Sequence, residues 1–298
     1  MTSSATIRIQ DADLNKIVFG KKQPPPKDSQ YAIDNIFISY ENDKQWPRFQ
    51  FPILQHPFDS FDSKYGGNAD GSINMVVSFD PNNARHLKVI NKLREFDDRV
   101  FQLVKKNSGT WLKKEINTDT QENVFLDPDN EFWFPSLKVK KAVTKDGEPI
   151  VKDGKQVEYF SMKFKIPKRA PKGGVEKVLA TGVEDYDSGE KVDIYDYLKP
   201  KCQVQVVGRP ARIYIQKQQK VGIVWEATVM RIKRSEAASA ENEIFVKDSD
   251  EEDEDNDVGA GPIEDDIEEV AIEDSDDTGE VVEEKAKPTK GRGKKAAK

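Results

Sequence analysis

The stretch Val157-Glu158-Tyr159-Phe160-Ser161-Met162-Lys163-Phe164-Lys165-Ile166-Pro167-Lys168-Arg169 decides how this chain reads. Phe160, Met162, Phe164 and Ile166 alternate with Tyr159, Lys163 and Lys165. A period of two belongs to a strand with one face on a core and the other in solvent. The polar face continues into Lys168 and Arg169, so an aromatic ring stands beside a row of cationic groups. Single-stranded nucleic acid suits such a face, because cations track phosphates while flat rings stack on unpaired bases.

Immediately upstream, Phe132–Lys141 reads as the pairing strand and adds Lys138, Lys140 and Lys141. The turn-rich segment between, with Lys145-Asp146-Gly147 and Lys152-Asp153-Gly154, closes a long hairpin. Downstream, Lys201–Val207 is a further strand. A last hairpin joins Ala211–Gln216 to Gly222–Ile232 around Lys217-Gln218-Gln219-Lys220. It sets Arg212 and Tyr214 opposite Ile213 and Ile215, puts Lys217 and Lys220 at its tip, and ends in Arg231, Lys233 and Arg234. Upstream strand signals are Ile36–Tyr40, Arg48–Phe51 closed by Pro52, and Ile73–Phe79.

The period changes between Pro81 and Asn107. Leu87, Ile90, Leu93, Phe96 or Asp97, Val100, Phe101 and Val104 recur at three- and four-residue spacing, which predicts one long amphipathic helix. Asp80 is the expected N-cap, with Pro81 at the first helical position. Short strands with turns between them, plus one helix, predict a mainly β domain, a small barrel or sandwich with inserted loops.

Composition divides the chain. Residues 1–30, which run into Lys21-Lys22-Gln23-Pro24-Pro25-Pro26, are expected to form an N-terminal arm or linker, because a proline run is extended and cannot donate hydrogen bonds. Residues 31–234 form the expected folded body. From Ser235 to Lys298 there are 23 acidic and 8 basic side chains, a net of −15. Residues 1–234 therefore carry +8 within a chain of net −7, so an acidic average conceals a basic domain. The tail, acidic over 236–284 and basic over 285–298, has too little apolar material to offset the entropy of ordering and is expected to be disordered.

A flexible polyanion tethered beside a basic face competes with weakly bound nucleic acid at high effective concentration. It can equally serve solubility, or recruit replication proteins or other basic partners. The basic end, Lys287–Lys295, suits nucleic acid, an import signal or loose pairing with the acidic run. Ser249, Ser275 and Thr278 stand among acids, the setting an acid-directed kinase requires.

Catalytic signatures are missing. Two histidines, His56 and His86, and one cysteine, Cys202, cannot build a structural zinc site without several carboxylates, and no phosphate-binding glycine loop occurs. Asp59 and Asp62 near His56 invite comparison with a two-metal nuclease, but they lie in a stretch that reads as a loop. The expectation is a non-enzyme without cofactor or metal. A single cysteine fits a reducing compartment. Met1–Thr6 shows no signal-peptide pattern, and no apolar run reaches the ~20 residues of a membrane span, so a soluble intracellular protein is expected.

Cys202–Arg234, above all Gly222-Ile223-Val224-Trp225-Glu226-Ala227-Thr228-Val229-Met230-Arg231-Ile232, is followed at once by an acidic tail. In this it resembles the single-stranded-DNA-binding proteins of nucleocytoplasmic large DNA viruses. The resemblance implies an OB-like barrel that coats unwound DNA in replication, recombination and repair, in a viral replication compartment. Arg212, Tyr214 and Lys220 would then lie near the strand. The chain departs from that pattern by ending in Lys294-Lys295-Ala296-Ala297-Lys298, where such tails finish acidic.

The leading reading is thus sequence-independent binding of single-stranded DNA, with RNA left open. Its site would comprise Lys138, Lys140, Lys141, Tyr159, Lys163, Lys165, Lys168, Arg169, Arg212, Tyr214, Lys217, Lys220 and Arg231. A histone chaperone acting through its acidic tail is the alternative, and the +8 body argues against it.

Overall fold

The computed structural model describes residues 6–25, 33–40, 48–58, 60–61, 72–144, 148–152, 154–169, 178–216 and 219–234. Lys217, Asp59, Asp62 and the whole tail from Ser235 lie outside the described residues.

The chain opens with β1 (Thr6–Arg8), β2 (Ile17–Phe19), β3 (Ile33–Tyr40), β4 (Arg48–Gln55) and β5 (Ile73–Phe79). Helices α1 (Ala84–Trp111) and α2 (Asp119–Leu126) follow, then β6 (Trp133–Phe134) and β7 (Leu137–Lys141). A small β8–β9 pair (Val151–Lys152, Lys155–Gln156) leads into β10 (Glu158–Ile166). After it come β11 (Lys168–Arg169), β12 (Val178–Leu179), β13 (Gly182–Asp185), α3 (Ile194–Tyr197), β14 (Gln203–Gln216) and β15 (Val221–Lys233). Strands predominate, and eleven of those described share one sheet.

That sheet closes on itself. β4 pairs β5, β5 pairs β10, β10 runs parallel to β15, β15 pairs β14, and β14 returns to β4. A closed ring of five strands with this mixed order is an OB-like barrel. Closure leaves no exposed edge around the ring itself. The join between β4 and β5 is narrow, a single registered pair at Gln55 and Ser78.

β14 makes closure possible. Its first half pairs with β4 and its second half with β3, and the ladder shifts register at Val207/Gly208 and again at Pro210/Arg212. Gly208-Arg209-Pro210 reads in sequence as a break between two strands. In the fold the two segments are one strand bent by bulges, because a bulge accommodates glycine and proline while the chain continues. At Gly208 the Phe164 ring takes the space that a Cβ would need.

The core is built around Trp225. Phe51, Phe49 and Phe164 from the barrel and Phe96 from α1 surround it at ring-centroid distances of 5.7, 6.2, 6.3 and 5.5 Å, with tilted or edge-on geometry. Edge-on packing brings the positive rim of one ring to the negative face of another. α1 thus supplies core through Val89, Ile90, Leu93, Phe96, Val100, Phe101 and Val104, all buried, whereas Leu87 is exposed.

The helix begins later than expected. Asn83 is its cap, accepting from the backbone N–H groups of Arg85 and His86 at 2.9 and 3.2 Å. Asp80 instead accepts from Asn82 N–H, and its own N–H donates to His86 Nδ1 at 3.0 Å, which holds residues 80–82 outside the helix. His86 Nε2 donates to the Ile53 carbonyl at 2.8 Å, and burial keeps this imidazole below its ordinary pKa. α2 adds to the single helix expected, and its capping box of Thr118 and Gln121 is visible in the sequence.

The expected N-terminal arm enters the fold over residues 6–19. β1 lies parallel to β4, β2 pairs β3, and Ile9, Leu14 and Ile17 are buried in the core. Apolar residues ahead of the prolines outweigh the linker character of the prolines themselves.

Candidate nucleic-acid interface

The period-two reading of β10 sets the interface. Phe160, Met162, Phe164 and Ile166 are buried, which turns Tyr159, Ser161, Lys163 and Lys165 outward. Directly opposite residues of an antiparallel pair share a face. β7 therefore adds Lys140 opposite Tyr159 and Lys138 opposite Ser161. On the other edge, β5 sets Val76 against Lys163 and Asn74 against Lys165. Tyr159 is 45% exposed, so its ring is open to a flat ligand among these four lysines.

Register carries the outward side of β10 on to β15 and β14. Lys165 is in register with Glu226 on β15, and Glu226 is in register with Arg209 on β14. Farther along β14, Arg212 and Tyr214 point outward because Ile213 and Ile215 are buried. β3 pairs Phe37 with Arg212 and Asn35 with Tyr214. Phe37 is 39% exposed. Tyr214 lies across Gly222, where the phenol fills the position of the absent side chain.

Glu226 organises the arginines. Its Oε2 accepts from Arg209 Nη2 at 2.6 Å, from Arg209 Nε at 3.2 Å and from Arg169 Nη2 at 2.8 Å. Such charge-assisted bonds fix the guanidinium planes. An open groove of about 280 Å³ runs beside them, lined by Phe37, Arg169, Arg209, Ala211, Arg212 and Glu226.

The fold thus brings Lys138, Lys140, Tyr159, Lys163, Lys165, Arg169, Arg212 and Tyr214 onto one continuous outward surface. Others of the expected set stand apart. Lys141 is opposite Glu158 and, by alternation, on the side away from Lys140. Lys168 follows Pro167 on β11, opposite Leu179. Lys220 is held by Glu131 at 2.8 Å and lies over the Phe134 ring. Arg231 is bound to Glu184 on β13 at 3.1 Å. Each of these lysines and arginines is cationic in sequence, but register and a neighbouring acid decide where it points and what it meets.

Arg209, Glu226, Phe37 and Asn35 escaped the sequence reading. Arg209 sits in the apparent strand break, and an acid in a basic face carries no local signal. Among the described residues no group of three or more His, Cys, Asp or Glu side chains is placed to hold a metal ion. No helix there is long and apolar enough to cross a membrane.

No protein-family model matches the chain, and no curated protein matches it in sequence. Two of the solved structures similar to it are phage proteins. One is gp2.5, a single-stranded DNA-binding protein encoded by bacteriophage T7, at 10% identity and TM-score 0.39, covering 69% of this chain and 100% of that one. The other is a C-terminally truncated single-stranded DNA-binding protein from bacteriophage Enc34, at 10% identity and TM-score 0.35, covering 72% and 96% respectively.

Proposed function

We propose that the chain binds single-stranded DNA without sequence preference, and that it serves DNA replication, recombination or repair by coating unwound strands. The observation that carries this reading is the register of β7, β10 and β5, which sets exposed Tyr159 among Lys138, Lys140, Lys163 and Lys165 on one outward face. Phosphates along an extended strand meet the ammonium groups, and an unpaired base stacks on the phenol. Stacking and phosphate contact read no base edge, so the binding is indifferent to sequence.

The acidic tail acts in this scheme as a tethered competitor for the same face or as a docking segment for replication proteins. A net charge of −15 on the tail and +8 on the rest of the chain supports either role.

Fluorescence anisotropy of the full chain with labelled oligo-dT and a matched duplex, over a range of salt, tests the proposal. Preference for the single strand and a steep loss of affinity with salt are expected. Equal affinity for both nucleic acids, or none at low salt, rejects it, and a histone partner for the tail then becomes the leading reading.

A further inference from the structure

Two buried side-chain atoms among the described residues have no hydrogen-bond partner: Nε of Arg212 and Oδ1 of Asn35. Buried polar atoms are satisfied almost without exception, so an orphaned donor and an orphaned acceptor call for a ligand that supplies the opposite of each. The two belong to one surface. β14 and β3 pair Arg212 with Phe37 and Tyr214 with Asn35, and the intervening Ile213, Ile215, Ile36 and Ile38 are buried, so all four face outward together.

The orphans flank an exposed aromatic ring. Phe37 lines the open groove with Arg169, Arg209 and Arg212, and Glu226 pins Arg209 and Arg169 by charge-assisted bonds. Asn35 is itself oriented, because its Nδ2 donates to the Ile33 carbonyl at 3.2 Å and leaves Oδ1 as the unused acceptor.

We propose that this groove seats one nucleotide unit of the bound strand, at a second position on the surface that also carries Tyr159; the proposal rests on the nucleic-acid reading above. Both orphaned atoms are sealed from solvent, so the Arg212 and Asn35 side chains turn outward as the strand binds, and the phosphate then accepts from Arg212 Nε beside the guanidinium of Arg169. The base lies against Phe37, and Asn35 Oδ1 accepts an N–H from the base. All four bases carry an N–H donor on their pairing edge, so an acceptor here anchors a base without selecting one. A bare anion would satisfy Arg212 but leave the Asn35 acceptor unmet and draw nothing from the adjacent ring. Strand contact would therefore extend from β5, β10 and β7 across β15 and β14 to β3.

The test uses the full chain with a single-stranded oligonucleotide that carries 5-iodouracil in place of thymine. After irradiation, crosslinked peptides are mapped. A crosslink at Phe37 is expected beside any at Tyr159; crosslinks confined to β7 and β10 overturn the proposal. In anisotropy, Arg212→Lys keeps the charge but removes the Nε donor, and Phe37→Leu keeps apolar bulk but removes the ring. Each is expected to weaken oligo-dT binding roughly tenfold, the scale of one stacking interaction or one directed hydrogen bond, with the salt slope of Arg212→Lys unchanged. If wild type binds, Lys163→Ala weakens binding and both groove variants bind as wild type does, the groove proposal alone falls. If wild type does not bind, both readings fall. Added thymidine monophosphate distinguishes a strand unit from a free nucleotide. Added before irradiation at equal nucleotide concentration, it is expected to leave the Phe37 crosslink intact, and suppression of that crosslink overturns the strand assignment.

Discussion

The indole N–H of Trp225 donates to Ser136 Oγ at 2.7 Å, and this one bond ties the centre of the barrel core to the segment that leads into β7. Ser136 is fixed from the other side, since its backbone N–H and that of Leu137 donate to the Asp97 carboxyl at 2.9 and 3.1 Å. A residue of α1 thereby sets where β7 starts, and with it the position of Lys138 and Lys140 on the outward face.

That anchor is pH-sensitive. Burial pushes the Asp97 carboxyl up from 3.8 to about 6, against the opposing effect of its bonds to Ser136 and Leu137. The unfolded chain releases this proton near 3.8 and the folded chain holds it to about 6. Stability therefore falls as pH rises between these values, by about 2–3 kcal/mol in total, and stays at the lower level above. Asp97→Asn cannot titrate. Urea unfolding at pH 4, 5, 6 and 7 is expected to show wild type losing this amount relative to Asp97→Asn; a gap between the two that does not vary with pH refutes the assignment.

Lys163→Ala with Lys165→Ala removes two outward cations from β10 without touching the core. Oligo-dT affinity should fall, and the slope of log K against log salt should flatten by about 1.4, which is about 0.7 for each phosphate that is no longer neutralised. An unchanged slope would mean that these lysines do not meet the strand.

Gly222→Ala places a methyl group where the Tyr214 phenol now lies. Displacing the ring is expected to cost about 1–3 kcal/mol, the usual penalty of forcing extra volume into a packed site. In a Tyr214→Ala background the same change should cost much less. A thermal or denaturant double-mutant cycle measures that coupling, and simple additivity would show that the two residues do not compete for space.

Glu226→Ala strips the counter-charge from Arg209, whose side chain is only 13% exposed. Loss of this carboxylate from a guanidinium at that depth is expected to cost about 3 kcal/mol of stability. Arg169 is half-exposed and adds little to this. Arg209→Ala in the Glu226→Ala background should recover part of the loss in urea unfolding, and no recovery would place the cost elsewhere.

Cys202 is buried, and burial raises its thiol to about 11. The thiolate is the reactive form, so alkylation by iodoacetamide at pH 8 is expected to be slow in the native protein and rapid in urea. Equal rates in both would contradict the packing at the start of β14.

Reading and structure agree most closely where information is local. The alternation in 157–166 required only that one face of the strand be covered, and from Tyr159 to Ile166 every residue fell on the face its parity assigned. The 3.6-residue recurrence over 87–104 identified α1 in the same way, although Asn83 rather than Asp80 caps it. Local chemistry failed at Gly208-Arg209-Pro210, where two residues that usually end strands instead bend one, and at residues 6–19, where Ile9, Leu14 and Ile17 join a core built mostly by later strands.

Charge and period, which depend on near neighbours along the chain, determined the basic body, the acidic tail, the mainly β character and the outward set on β10. Tertiary structure alone decided that β4 meets β14 to close the barrel, that β3 carries Phe37 and Asn35 to the side of Arg212, and that Glu226 draws Arg169 and Arg209 together across 57 and 17 residues of chain. The same step paired Lys220 with Glu131 and Arg231 with Glu184. The physical reason is distance in sequence: a pairing across many residues leaves no periodic trace in either partner, and only the closed sheet sets which cation meets a carboxylate and which faces outward beside an aromatic ring.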